Sequence, residues 1–178
     1  NWYTMNRALG MDELIYRHGA IMDQYDPDKK IGMIVDEWGC WFTVEPGTNP
    51  GFLYQQNTVR DALVAGITLN IFNKHCDRVK MANLAQMVNV LQSVILTEGP
   101  KMIKTPTYHV FHMYRHHQGA TLLNSTLTGV GETGIGEWKV PEVTESVSED
   151  AEHIITVTLN NLSADEEKEI EIVIAGDE

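Results

Sequence analysis

Cysteine, basic residues and long apolar runs are all scarce in this sequence. Two cysteines among 178 residues, Cys40 and Cys76, are too few for the disulfide framework of a small secreted domain. As two free thiols they favour a reducing compartment, so a cytoplasmic protein is expected. Thirteen Lys and Arg face 25 Asp and Glu, a formal net charge of −12. Phosphate binding needs a basic face, and with none visible nucleic acid is excluded as a partner. The imbalance is uneven: residues 137–178 hold thirteen carboxylates against two lysines, which leaves −11 there and −1 in the rest. An acidic stretch of that kind reads as a solvated sheet face that aids solubility. No apolar run reaches the about 18 residues of a membrane-spanning helix, so no membrane partner is expected of these residues.

Hydrophobic periodicity divides the chain in two. Residues 2–25 read as a helix, with Met11, Leu14, Ile15, His18, Met22 and Tyr25 in one stripe at spacings of three and four. Asp26-Pro27-Asp28 breaks it. Ile31–Val35 reads as a buried strand, Thr43–Gly51 as a long loop, residues 57–72 as a second helix and 79–85 as a second strand. Strand and helix alternating in this way imply parallel pairing through right-handed crossovers. Residues 89–104 form an excursion before a third helix, for which Thr105 is the N-cap, Pro106 the first residue and Gly119 the stop. From about Ala120 the pattern becomes β-like. Runs at 121–123, 138–143, 154–159 and 169–174 are separated by Gly, Asn, Ser and Asp, which predicts a small, incomplete β-sandwich. The expected domains are therefore 1–119, α/β, and 120–178, all-β.

The most informative stretch is Val35-Asp36-Glu37-Trp38-Gly39-Cys40-Trp41, where an apolar run ends in two carboxylates followed by indoles. Charge belongs at the carboxyl end of a buried parallel strand, the catalytic face of α/β barrels. Flat apolar rings beside an acid suit a sugar cleft. Two further pieces follow in order: Glu45-Pro46-Gly47-Thr48-Asn49-Pro50-Gly51 and Met81-Ala82-Asn83-Leu84-Ala85-Gln86-Met87-Val88-Asn89. Together these three motifs resemble glycoside hydrolase family 51, the α-L-arabinofuranosidases. The resemblance covers essentially the whole chain, most loosely beyond Gly119. It implies the last two strand–helix units of a (β/α)8 TIM barrel followed by part of a C-terminal antiparallel β-sandwich. A full barrel needs roughly 250 residues, and the chain starts at Asn1 with helix-like sequence and no initiator Met, so a carboxy-terminal fragment is expected.

By that resemblance Glu37 is the catalytic nucleophile, and Trp41 and Gln86 line the sugar subsite. The substrate class it implies is an arabinofuranosyl-containing oligosaccharide or polysaccharide, from which terminal non-reducing α-L-arabinofuranose is removed. The intact enzyme is expected to be a homo-oligomer with no cofactor. A retaining glycosidase needs two carboxyl groups roughly 5–5.5 Å apart. The family's acid/base Glu lies on an earlier strand, and no residue here matches its motif, so the chain alone is expected to be inactive. Asp36 is no substitute, because neighbouring strand side chains face opposite ways; structural hydrogen bonds are expected of it. Gln86 can bond sugar hydroxyls without adding charge.

Other features read more simply. His109, His112, His116 and His117 carry metal-like spacings, but no Cys, Asp or Glu nearby completes a site. His75-Cys76-Asp77 is a turn, and Met81, Met87 and Met102 are core filling. The glycine-rich stretch 129–136 has no following helix and reads as a flexible turn. Two alternatives stand beside the main reading: another retaining barrel glycosidase with a similar Asp-Glu-Trp strand, or a non-catalytic carbohydrate-binding module built from the β-rich tail.

Overall fold

The computed structural model describes residues 1–175. Helix α1, Trp2–Tyr25, leads into strand β1, Met33–Trp38. After a loop with a short 3-10 turn at Pro50–Phe52 come helix α2, Val59–Lys74, and strand β2, Val79–Leu84. A hairpin of β3, Ile95–Glu98, and β4, Lys101–Lys104, precedes α3, Pro106–Tyr114. The remainder is β5, Thr121–Leu122; β6, Glu132–Ile135; β7, Trp138–Pro141; β8, Val143–Glu149; and β9, Ile155–Asn161.

Strands β1 and β2 are parallel neighbours, and β1–α2–β2 is the crossover unit that the alternation requires. Met33, Val35, Ala82 and Leu84 face the helices, around a core that includes Ile15, Trp38, Val64, Ile67, Phe72 and Val110. Trp38 joins three elements, meeting Phe72 of α2 edge-on at 5.4 Å and stacking on Phe111 of α3 at 6.0 Å. On the other face Ile34 and Met81, paired across the two strands, are both more than half exposed, so Met81, like exposed Met87 and Met102, is not the core filling expected of it. In the barrel that the resemblance implies, helices pack against one face of each strand and interior side chains against the other, and this exposed face is the one left for the interior.

The helix ends follow their sequence signals. Thr58 and Asp61 form a capping box at the start of α2, and the Thr105 hydroxyl accepts from the Tyr108 N–H with Pro106 at the first position of α3. Gly119 adopts φ +73 after a 3-10 turn through His117. Asp26 ends α1, its carboxylate accepting from the N–H groups of Lys30 and Ile31. Arg78, buried at the start of β2, donates to Asp26, Asp23 and the Ile31 carbonyl.

The antiparallel part contains a three-stranded sheet in the order β5–β8–β9 and the hairpin β6–β7. It rests on the helices through apolar contacts, where Val140 and Leu162 join the core and Trp138 meets Tyr3 of α1 edge-on at 4.7 Å, and through a polar seam. Asn70 and Asn73 of α2 donate to Thr144 and Ser146 of β8, and Asn160 donates to the Tyr114 hydroxyl at 2.9 Å and to Thr144 at 3.2 Å. His117 bonds Ser148 through one ring nitrogen and Thr158 through the other.

Several expectations need correction. Of the predicted α1 stripe, Ile15 is buried, while Leu14, His18 and Tyr25 are exposed. The buried face is instead set by Met5 and Ile15, with Trp2, Ala8, Leu9 and Met11 packed beside them. The excursion 89–104 contains the β3–β4 hairpin. Residues 129–136 are not only a turn, because Glu132–Ile135 pairs with Trp138–Pro141, and Gly134 at φ +120 lies against the Trp138 carbonyl where no Cβ would fit. Residues 138–143 are divided between β7 and β8. Residues 169–174 form no strand: their alternation is strand-like, but no described strand pairs with them, and a ladder needs a partner.

Candidate active site

β1 carries a bulge near its carboxyl end. Val35 pairs with Ala82 and Trp38 with Leu84, so Asp36 and Glu37 together oppose the single residue Asn83. The extra residue re-phases the alternation, which is why Met33 and Val35 face the helices and so does Trp38, an odd number of positions further on. Glu37, adjacent to buried Trp38, is thereby turned away from the helices at the carboxyl end of the strand. Both Asp36 and Glu37 are exposed, and neither has a side-chain hydrogen bond among the described residues. The expectation that Asp36 makes structural hydrogen bonds is therefore not met, nor does alternation separate the two carboxylates, since both lie exposed between Val35 and Trp38, which face the helices. Glu37 also sits inside the strand, which extends to Trp38 and not only to the expected Val35.

Gly39, at φ +126, then turns the chain. It leads to Cys40, which is buried, and to Trp41, which is 68% exposed. This loop is held from below by two buried amides. The Phe42 N–H donates to Gln55 Oε1 at 2.7 Å, and Gln55 Nε2 donates to the Cys40 carbonyl at 3.1 Å. Gln92 Nε2 approaches the same carbonyl at 3.4 Å, and a Cβ on Gly39 would overlap the Gln92 side chain. On the far side the Arg60 guanidinium, paired with Asp61 at 3.1 Å, lies 3.8 Å over the Phe42 ring. Burial, reinforced by the charge of Asp61, pushes the Cys40 thiol up to about 12. It therefore stays a protonated thiol at neutral pH and is no nucleophile.

The second loop leaves β2 at Ala85, whose N–H donates to the Trp38 carbonyl at 3.2 Å, and Gln86 follows at φ +65 with its side chain exposed. A left-handed conformation at a residue other than Gly, Asn or Asp costs of order 1 kcal/mol and often marks a functional position. The two loops are joined by the Leu91 N–H donating to the Leu53 carbonyl at 3.0 Å and by a bridge between Tyr54 and Leu91. The structure thus brings Glu37 and the loops carrying Trp41 and Gln86 to the same ends of adjacent parallel strands. Trp41 also walls an open groove of about 390 Å³ against Tyr3, Arg7 and Met11 of α1, which neither Glu37 nor Gln86 lines. Gly39 could have been noticed as a lone glycine just after a strand, but nothing in the sequence around Gln55 or Gln92 announces a buried amide.

Residues 36–178 match the family model described as the α-L-arabinofuranosidase C-terminal domain. The chain is 48% identical over 171 residues to an intracellular exo-α-L-arabinofuranosidase of Bacteroides ovatus, an alignment covering 96% of this chain and 33% of that protein. It superposes on the crystal structure of a GH51 arabinofuranosidase from Xanthomonas axonopodis pv. citri with a TM-score of 0.83 and 52% identity, over 89% of this chain and 32% of the other. A Thermotoga maritima α-L-arabinofuranosidase solved with arabinose shares the fold at 22% identity, with a TM-score of 0.70 over 90% of this chain and 35% of that one. The chain thus spans about a third of the length of these relatives, and its parallel β1–α2–β2 unit, α3 and antiparallel sheets are the end of a (β/α)8 barrel and part of a β-sandwich. This chain belongs to the α-L-arabinofuranosidases of glycoside hydrolase family 51.

Proposed function

We propose that the enzyme containing this chain is a retaining α-L-arabinofuranosidase that releases terminal non-reducing arabinofuranose from arabinose-containing oligosaccharides and polysaccharides, with Glu37 as its nucleophile. The observation that carries this reading is the bulge at 36–37, which turns an unpaired carboxylate away from the helices at the end of β1. Ionised Glu37 attacks the anomeric carbon as the bond to the leaving oxygen breaks. An acid supplied from outside these residues protonates that oxygen, and water then releases the sugar from the glycosyl-enzyme. Trp41 gives the sugar an apolar wall, and Gln86 bonds its hydroxyls. Residues 1–119 serve as the barrel portion and 120–178 as the β-domain. The Bacteroides ovatus relative is named intracellular, and action inside the cell is proposed here too.

Glu37→Gln in the full-length enzyme tests the assignment. Turnover of an aryl α-L-arabinofuranoside should fall by orders of magnitude with folding unchanged, and wild-type turnover would refute it. The first-formed arabinose followed by NMR should keep its anomeric configuration; inversion would rule out a covalent intermediate on Glu37.

A further inference from the structure

We infer that Gln55 and Gln92 form an amide clamp that positions the Trp41 loop against the Gln86 loop, making both glutamines positioning residues for sugar binding. The inference rests on the reading of Trp41 as a sugar contact. Gln55 is 2% exposed and Gln92 is fully buried, so their amides are not there for solvent. Both converge on one acceptor, the Cys40 carbonyl, immediately before Trp41. Gln55 also accepts from the Phe42 N–H, immediately after it. The peptide groups on either side of Trp41 are therefore fixed while its ring stays free on the surface.

Gln92 adds a second function, because it belongs to the loop that begins at Gln86. That loop is tied to residues 53–54 by the Leu91 N–H and the Tyr54–Leu91 bridge. A displacement of either loop is thus resisted by the other. Gly39 belongs to the same device: only a residue without Cβ leaves room for the Gln92 amide beneath it. A loop held only for stability could use apolar packing at these positions at little cost. Gln55, with both amide atoms bonded, specifies direction, since a hydrogen bond has a preferred angle and a buried amide that loses its partner is penalised; Gln92 adds a longer contact to the same acceptor, its Oε1 being buried without a partner among the described residues.

The test is a double-mutant cycle in the full-length enzyme, with kcat/KM on an aryl α-L-arabinofuranoside as the readout, at a temperature where every variant is folded. Gln55→Met keeps length and burial and removes the amide. It should lower kcat/KM by about tenfold alone but by less than about twofold when Trp41→Ala is already present, because a residue acting through Trp41 has nothing left to position. Gln92→Met is the second variant should Gln55→Met fail to fold, and the same non-additivity is expected of it. Equal losses in both backgrounds, or no loss from either methionine substitution, would overturn the clamp while leaving the arabinofuranosidase reading intact. A silent Trp41→Ala would remove the subsite assignment and the clamp together, and inactive wild-type enzyme on this substrate would instead strike at the function itself.

Discussion

Gly66→Ala should destabilise the chain, although the same change in the interior of an exposed helix stabilises. Gly66 lies in α2 where the antiparallel sheet packs on it, and the three atoms nearest to an added Cβ all belong to Asn160, with Cγ at 2.7 Å. Asn160 cannot simply rotate away, because its amide donates to the Tyr114 hydroxyl at 2.9 Å and to Thr144 at 3.2 Å. Losing those two bonds costs about 1 kcal/mol each. Pushing the strand outward instead costs about 1–3 kcal/mol. Helix propensity returns only about 1 kcal/mol. The net expectation is about 1 kcal/mol of lost stability if the two bonds are given up and about 0–2 kcal/mol if the strand moves instead. Urea unfolding followed by circular dichroism measures it. The informative comparison is the Asn160→Ala background, where the obstacle is gone and Gly66→Ala should become stabilising by about 0.5–1 kcal/mol. Destabilisation of the same size in both backgrounds would show that the collision with Asn160 is not the cause.

The two cysteines should differ in reactivity: a chromogenic disulfide reagent at neutral pH should titrate exposed Cys76 in the folded chain and reach buried Cys40, with its thiol pushed up to about 12, only after denaturation. Rapid titration of both thiols would contradict the burial. Acid should weaken the fold, because Ile31 and Arg78 hold the Asp26 carboxyl below its ordinary 3.8 and Lys168 holds Glu142 below its ordinary 4.5. A depressed carboxyl contributes stability fully above its ordinary value and loses it as pH falls through the folded one, so the urea midpoint should drop below about pH 4, and Asp26→Asn should show a smaller drop. Lys168, raised by Glu142 and Glu166, acts oppositely: its contribution is complete below 10.5 and declines as pH rises beyond that. Trp41→Ala and Gln86→Ala in the full-length enzyme should each lower kcat/KM by on the order of 1–3 kcal/mol; unaltered kinetics in both would remove them from the site.

Period and punctuation made the α/β half legible. Asp26-Pro27 and Thr105-Pro106 act through local hydrogen bonds, so α1 ends and α3 begins where the residues announce them; α2 is displaced by two residues from its expected span, and α3 gives way to a 3-10 turn after Tyr114, short of Gly119. Helix faces were less legible. The residues of α1 that form an apolar stripe include Leu14 and Tyr25, both exposed, because an apolar side chain states only that burial is favourable and not which neighbour provides it. The same limit explains residues 169–174. Ile170, Ile172 and Ile174 alternate like a strand, but pairing is a property of two segments, and alternation in one cannot create the other.

The site depends on that distinction most directly. Glu37 could be found because a carboxylate at the end of an apolar run is anomalous in the sequence itself. The bulge that turns it out and Trp38 in could not, since it exists only in the register between β1 and β2, where Val35 to Trp38 spans one residue more than Ala82 to Leu84. Alternation from Met33 alone would put Glu37 on the helix side with Val35, and would turn Trp38 out. The bulge reverses both outcomes in one step: the indole enters the core between Phe72 and Phe111, and the carboxylate is released to the opposite face. Burial of Trp38 therefore stabilises the irregular register that orients Glu37. Trp38→Ala should lose up to the about 3–5 kcal/mol of a large core truncation, and less where the strand relaxes to regular pairing, a relaxation that would turn Glu37 inward and abolish turnover. In the full-length enzyme Trp38→Phe, which keeps an aromatic in the core, should retain the bulge and most of the turnover. A folded Trp38→Ala enzyme with undiminished turnover would show that the register of β1 is fixed by something other than this indole.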